Sequence, residues 1–191
     1  MAQELELKFA ATQAQLEHLR TRLDGFTQTQ METTYYDTPD RRLSAAKITL
    51  RCRRENDLRI CTVKTPGKGL ARGEWECESD DIKAAIPILC KLGAPQELLT
   101  LPDLIPVCGA KFTRLSRLLN LPDAQIEIAL DRGILLGGGK ESPLCEVELE
   151  LKSGAEETLF ALGENIAREF SLSPEPKSKF GRAMQLTVDN G

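Results

Sequence analysis

The sequence predicts an α+β fold in which an antiparallel sheet closes on itself as a barrel, with helices packed on its outside. Three observations predict it. At least five segments alternate with a two-residue period, the strand signal. Their charged residues share one face and their apolar residues the other. Three amphipathic helical segments are available to cover the apolar faces. An open sheet with one polar face in water would explain each strand singly. Closure explains them together and removes the exposed edge strands.

Residues 3–10 place Glu4, Glu6 and Lys8 on one face and Leu5, Leu7 and Phe9 on the other. Thr12 and Gln15 form a capping box for a helix whose stripe is Leu16, Leu19 and Leu23, ending at Gly25. Residues 47–55 set Arg51 and Arg53 against Ile48, Leu50 and Cys52, and residues 58–65 are the hairpin partner, ending in Lys64. Residues 71–78 alternate Arg72, Glu74, Glu76 and Glu78 with Trp75 and Cys77. Residues 80–92 give a helix through Ile82, Ile86 and Leu89, kinked or shortened by Pro87. The stretch 93–108, with Pro95, Pro102 and Pro106, reads as a long connection, and residues 110–119 as a weaker strand. Residues 125–132 carry Glu127 and Asp131, and residues 144–152 carry Glu146, Glu148, Glu150 and Lys152. Ser153 with Glu156 caps a helix bearing Leu159, Leu162, Ile166 and Phe170, and a last short helix or turn holds Lys179 and Arg182. The glycine-rich pieces at 66–69 and 137–140 lack phosphate-loop spacing and read as hairpin turns.

The 191 residues suit one domain spanning 1–191. A net charge of −4 argues against non-specific nucleic-acid binding, which needs a basic surface. No apolar run is long enough to cross a bilayer, and the first residues lack signal-peptide character. Six scattered cysteines without a Cys-x-x-Cys pair point to free thiols in a reducing cytoplasm. Cys52, Cys61, Cys77 and Cys145 alternate out of phase with the charges, which puts them outside, under the helices. His18 is the only histidine and lies on the first helix, so Ser-His-Asp, Cys-His and histidine-zinc mechanisms are set aside.

The charges form two sets. Glu4, Glu6, Glu74, Asp131, Glu146 and Glu148 are acidic; Lys8, Arg51, Arg53, Lys64, Arg72, Arg114 and Lys179 are basic. Hard divalent cations such as Mg²⁺ or Mn²⁺ take carboxylate oxygens. Arginine forks and lysines take phosphate oxygens. A lumen lined with both suits a metal-chelated chain of phosphates. The competing reading is a lumen filled with internal salt bridges.

The order of these residues resembles that of the CYTH superfamily, also called triphosphate tunnel metalloenzymes. Its hallmark is Glu-x-Glu-x-Lys on the first strand, here Glu4-Leu5-Glu6-Leu7-Lys8. Tyr35-Tyr36-Asp37-Thr38-Pro39, Leu50-Arg51-Cys52-Arg53, Thr62-Val63-Lys64 and Arg72-Gly73-Glu74-Trp75-Glu76 follow in the family's order. So do Ile126-Glu127-Ile128-Ala129-Leu130-Asp131, Glu146-Val147-Glu148-Leu149-Glu150 and Ser178-Lys179. The resemblance is closest to the bacterial inorganic triphosphatase branch, in which a helical CHAD domain often follows; the sequence contains none.

The resemblance implies an eight-stranded barrel with triphosphate in its tunnel. By similarity Glu4, Glu6, Glu74, Asp131, Glu146 and Glu148 hold one or two Mg²⁺ or Mn²⁺ ions. Lys8, Arg51, Arg53, Lys64, Arg114 and Lys179 contact phosphate, with Arg72 and Arg182 as secondary candidates. Catalysis falls to Glu4, Glu6 or Glu148 as acceptor of the attacking water's proton and to Lys8 at the transferred or leaving group. One departure stands out: Ser116 occupies a position where the family commonly has a second basic residue. Arg117 points the other way unless a bulge turns it inward. Alternatives on the same scaffold are thiamine-triphosphatase, nucleoside-triphosphatase or adenylate cyclase activity. A non-catalytic polyphosphate-binding module is a further alternative.

Overall fold

The computed structural model describes residues 2–67 and 72–188, with the side chains of all but 2–4 and 72. In chain order the elements are β1 (Ala2–Glu4), β2 (Glu6–Ala10), α1 (Gln13–Arg22), β3 (Thr27–Asp37), α2 (Arg42–Ala45), β4 (Thr49–Glu55), β5 (Leu58–Thr65), β6 (Arg72–Glu78) and α3 (Ile82–Lys91). A 3-10 helix (Gln96–Thr100) leads to β7 (Ile105–Asn120), β8 (Ala124–Gly137), β9 (Lys140–Gly154), α4 (Glu156–Glu169), β10 (Ser173–Pro174) and α5 (Lys179–Gln185).

The strands form one antiparallel sheet of ten, ordered β1-β6-β5-β4-β3-β7-β8-β9-β2-β10. The expected closure is therefore corrected in one respect: among the described residues the hydrogen-bonded order has two ends and no ladder makes it a ring. Both ends nevertheless meet in one stretch of chain. β1 pairs with β6 (Glu4 opposite Arg72), and β2 pairs with β9 (Glu6 opposite Glu150). Between them the Leu5 carbonyl accepts the Leu151 N–H at 2.9 Å. Counting β1 and β2 as one interrupted strand, and setting aside the two-residue β10, leaves the eight strands expected.

Alternation decides what faces where. Leu5, Phe9, Ile126, Ile128, Leu130, Val147 and Leu149 point outward into a core closed by Leu16 and Leu19 of α1 and Leu159 and Ile166 of α4. Leu50, Cys61, Val63 and Trp75 point outward under Ile82, Ala85, Ile86 and Leu89 of α3. Burying each such aliphatic side chain is worth about 1.5–3 kcal/mol, which fixes the register of the strands and therefore the direction of their charges. A third cluster lies on the inner face: Met31, Ala110, Phe112, Leu135 and Leu144, with Ala183 of α5 packed against them. The lumen is thus charged in one layer and apolar in the next.

Several local expectations hold. Thr12 and Gln15 make the capping box of α1. The turn between β8 and β9 uses Gly138 and Gly139, with φ of +56° and +72°, values that only glycine adopts freely. The turn at 66–69 falls partly outside the described residues. The six cysteines are free, with Cys61 buried beneath α3. His18 packs its ring edge-on to Phe170, 5.0 Å between centroids.

Others are corrected. Residues 27–37, not expected as a strand, form β3, and α2 is also new. The supposed connection 93–108 contains the 3-10 helix and the start of β7. Pro106 is accommodated because only β3 flanks it there: the pairing of β7 with β8 begins at Cys108, and the register with β3 shifts between Tyr35 and Tyr36. Ser153 does not cap α4. β9 runs to Gly154, Ala155 is the N-cap residue with no side-chain bond, and the Ser153 hydroxyl donates to Gln125 Oε1 at 3.3 Å. α3 continues through Pro87, its N-terminus capped by Asp81 accepting from the Ala84 N–H.

Asp37, fully buried, ties the β3 end to α2. Its carboxylate accepts the N–H groups of Thr38 (2.7 Å), Leu43 (2.9 Å) and Ser44 (3.1 Å) and the Ser44 hydroxyl (2.5 Å). This motif residue is therefore structural. No described helix is long and apolar enough to cross a membrane.

Candidate active site

The charged layer surrounds a cavity of about 350 Å³. Of the residues expected in the site, Glu6, Lys8, Arg51, Arg53, Lys64, Glu74, Arg114, Glu148 and Lys179 line it. Asp131, Glu146 and Arg182 lie behind that lining. The side chains of Glu4 and Arg72 lie outside the described residues; their backbones pair across β1 and β6.

One wall is basic. Arg51 and Arg53 project from β4, and Lys64 from β5. Lys64 pairs with Glu74 directly opposite on β6 (3.2 Å), and Arg51 reaches Glu74 (3.8 Å) and Glu76 (3.7 Å). Arg53 is only 6% exposed; its Nε donates to the Thr33 hydroxyl at 3.0 Å, and Glu55 lies 3.7 Å away. Burial, with Arg51 and Arg114 nearby, pushes its pKa down to about 10. That is the mark of a buried cation short of negative partners.

The other wall gathers carboxylates. Asp131 on β8 stands opposite Glu146 on β9, and Glu148 stands opposite Lys8 on β2. Arg114 grips Asp131 through both carboxylate oxygens (2.8 and 2.7 Å) and also donates to Glu148. Lys179, at the start of α5, reaches Asp131 (2.7 Å), Glu148 (2.8 Å) and Glu146. Arg182, one helical turn on, donates to Glu146 and approaches Glu175 at 3.6 Å. Ser178 caps α5 by accepting the Gly181 N–H at 3.0 Å, which fixes the turn from which Lys179 departs.

Burial opposes charge on each carboxylate, and the cations decide the outcome. For Asp131 and Glu148, Arg114 and Lys179 outweigh burial and hold the carboxyls below their ordinary range, Glu148 well below. For Glu146 burial prevails, and its pKa rises to about 7. The same partners outweigh burial at Lys179 and Arg114 and raise both.

Oxygen atoms of Asp131, Glu146 and Glu148 lie within 4.8 Å of one another, so this buried cluster can hold a metal ion. A donor set of carboxylate oxygens alone fits a hard divalent cation. The Lys179 ammonium stands among the same three groups.

The remaining lining was not among the expected site residues. Glu127 and Glu150 continue the inward rows of β8 and β9, facing each other in register, with Lys152 2.8 Å from Glu150. The two-residue alternation already carried that signal. Tyr35 and Phe180 of the lining had none, since charge patterning does not mark apolar inward positions. Ser116 lines the cavity, and Arg117 stays outside, donating to the Asp24 carbonyl at 2.7 Å. The register of β7 with β8 runs unbroken through Arg117, opposite Ile128, so no bulge turns Arg117 inward.

A sheet wrapped into a tunnel, apolar outside and lined with matched acidic and basic walls, defines a charged-tunnel protein. The chain belongs to the CYTH domain family, whose model matches residues 2–183. It is 34% identical over 194 residues to the inorganic triphosphatase of Haemophilus influenzae, covering 95% of this chain and 54% of that protein. The chain thus spans about half the length of that relative. Its fold is shared by an adenylyl cyclase candidate from Hippeastrum with a dominant triphosphatase activity (TM-score 0.69, 16% identity, 99% and 98% of the two chains). It is also shared by a protein of Pyrococcus horikoshii (TM-score 0.65, 22% identity, 95% and 98%).

Proposed function

We propose that the protein hydrolyses inorganic triphosphate to pyrophosphate and phosphate with the help of Mg²⁺ or Mn²⁺. The observation that carries this is the opposition of two sets of side chains across one cavity: Arg51, Arg53 and Lys64 on β4 and β5 line it together with Glu6 on β2 and Glu148 on β9, and Asp131 and Glu146 stand behind Glu148. The identity to an inorganic triphosphatase supports the same reading.

Phosphoryl transfer has a loose transition state, so positioning and charge neutralisation carry most of the catalysis. Lys8, Arg51, Arg53, Lys64, Arg114 and Lys179 supply donors for the phosphate oxygens. Arg182 serves behind them by holding Glu146. Asp131, Glu146 and Glu148, with Glu6, Glu4 and Glu74, provide oxygen donors for one or two ions. When bound, such an ion neutralises phosphate charge and acidifies a water. Glu4, Glu6 or Glu148 accepts the attacking water's proton, and Lys8, with Glu6 3.6 Å away, meets the developing charge. The six free thiols support a reducing, cytoplasmic setting.

The test is phosphate release from tripolyphosphate, ATP, thiamine triphosphate and pyrophosphate, with Mg²⁺, Mn²⁺ or chelator, for wild type and Glu6→Ala. Metal-dependent release from tripolyphosphate, lost in Glu6→Ala, is expected. Tight tripolyphosphate binding without metal-dependent release would sink the enzyme reading in favour of a binding module.

A further inference from the structure

Phe112 lies on the inner face of β7, where the charged layer gives way to the apolar one, and is 4% exposed. Three cations from three different elements converge on its ring. The Arg53 guanidinium carbon is 5.7 Å from the ring centroid, that of Arg114 5.8 Å, and the Lys179 ammonium 5.1 Å. The neighbouring strand makes room for it. Gly133 stands opposite on β8, and a Cβ there would come within 2.6 Å of the Phe112 Cβ and 2.1 Å of the Lys111 carbonyl oxygen.

We propose that Phe112 is a positioning residue of the phosphate site, its ring holding Arg53, Arg114 and Lys179 at the spacing that an anion meets. This rests on the triphosphate reading above. Three like charges in one buried layer repel; Asp131 and Glu148 offset Arg114 and Lys179, whereas Arg53 stands 3.7 Å from Glu55. Carboxylates do so by taking up N–H donors. An aromatic face attracts a cation through its quadrupole and leaves those donors available. The compensation matters most at Arg53, whose nearest carboxylate is 3.7 Å away. Each such contact changes an equilibrium constant by roughly 2- to 30-fold.

The test replaces Phe112 with mono-, di- and trifluorophenylalanine, which weaken the ring face stepwise at nearly constant shape, and separately with leucine. KM and kcat for tripolyphosphate with Mg²⁺ are measured alongside Tm. KM is expected to climb with each fluorine, to roughly tenfold for the trifluoro protein, while kcat and Tm move little; Phe112→Leu raises KM at least as far. An unchanged or falling KM across the fluorinated series overturns the proposal, because the ring then only fills space. A wild-type protein that does not bind tripolyphosphate overturns the triphosphate reading and this inference with it.

Discussion

The ammonium of Lys179, carried by the last helix, stands 2.7 Å from the carboxylate of Asp131 in the middle of the sheet, and that carboxylate has no exposure to solvent. Two further carboxylates, Glu146 and Glu148, share the same lysine. A side chain thus occupies ground that the proposed metal wall assigns to an ion. Lys179→Met should leave three buried carboxylates undercompensated, at a cost of about 3–5 kcal/mol. In chelator its Tm is expected at least about 6 °C below wild type. Excess Mn²⁺ should restore most of that loss in the variant while moving wild type little. Thermal unfolding with and without Mn²⁺ checks this, and a variant that Mn²⁺ fails to rescue counts against the three carboxylates as metal ligands.

Chelation of the wild-type protein should separate activity from stability. Arg114, Lys179 and Arg182 already compensate the carboxylates, so the apo fold needs no ion. Phosphate release is expected to vanish in chelator, with Tm shifting by less than about 3 °C. A large drop in Tm would mean that the metal is a structural element.

The pH dependence of apo stability should carry two opposing slopes. Asp131 and Glu148 have depressed folded pKa values, so their stabilisation is present above the ordinary carboxyl range and is lost as pH falls through the folded values. Glu146 is the reverse. Its folded pKa of about 7 exceeds the ordinary 4.5, so the native state binds the proton more tightly and stability declines as pH rises between those values. Glu146→Gln should flatten the decline from pH 4.5 to 7 without removing the acid limb. Urea midpoints across that range measure it.

Asp37→Ala should unfold the junction between β3 and α2. Four donors lose their acceptor inside the protein, and a loss of about 3 kcal/mol or more follows. Asp37→Asn keeps one oxygen acceptor and should lose less. Because Asp37 does not line the cavity, the folded fraction of either variant should keep a wild-type KM. A raised KM at unchanged urea midpoint would move Asp37 from the frame into the site.

The strands most legible in the sequence were those with unlike faces. In β2, β4, β5, β6, β8 and β9 runs such as Glu6-Leu7-Lys8-Phe9, Leu50-Arg51-Cys52-Arg53 and Glu146-Val147-Glu148-Leu149 alternate charged with apolar residues, and the structure keeps that division. β3 was invisible because it has no such contrast: Thr27, Gln28, Thr29, Gln30, Glu32, Thr33 and Thr34 are polar on both faces. Thr29, Met31 and Tyr35 line the cavity, and Thr33 meets Arg53 inside. Prolines hid the beginning of β7, since a strand flanked on one side tolerates a residue that a central strand rejects. The candidate site was legible as two sets of charges, but not as a layered arrangement. Asp131 and Glu146 read no differently from Glu148, yet Lys179 covers both, joined by Arg114 at Asp131 and by Arg182 at Glu146. Phe112 could be found only once β7 was in register with β3 and β8.

The interruption at Leu5 also has a consequence during synthesis. The first strand leaves the ribosome before its two partners, which lie far along the chain: Glu4 waits for Arg72, and Glu6 for Glu150. Until β9 has been made, β2 has no neighbour on that side, and its alternating Glu6, Lys8 and Leu7, Phe9 remain an unsatisfied edge. Pairings that distant in sequence are slow to find, because a long loop must be closed before any contact rewards it. The joining of β2 to β9 is thereby set late in folding, and the nascent chain is most open to misassociation in the interval before it.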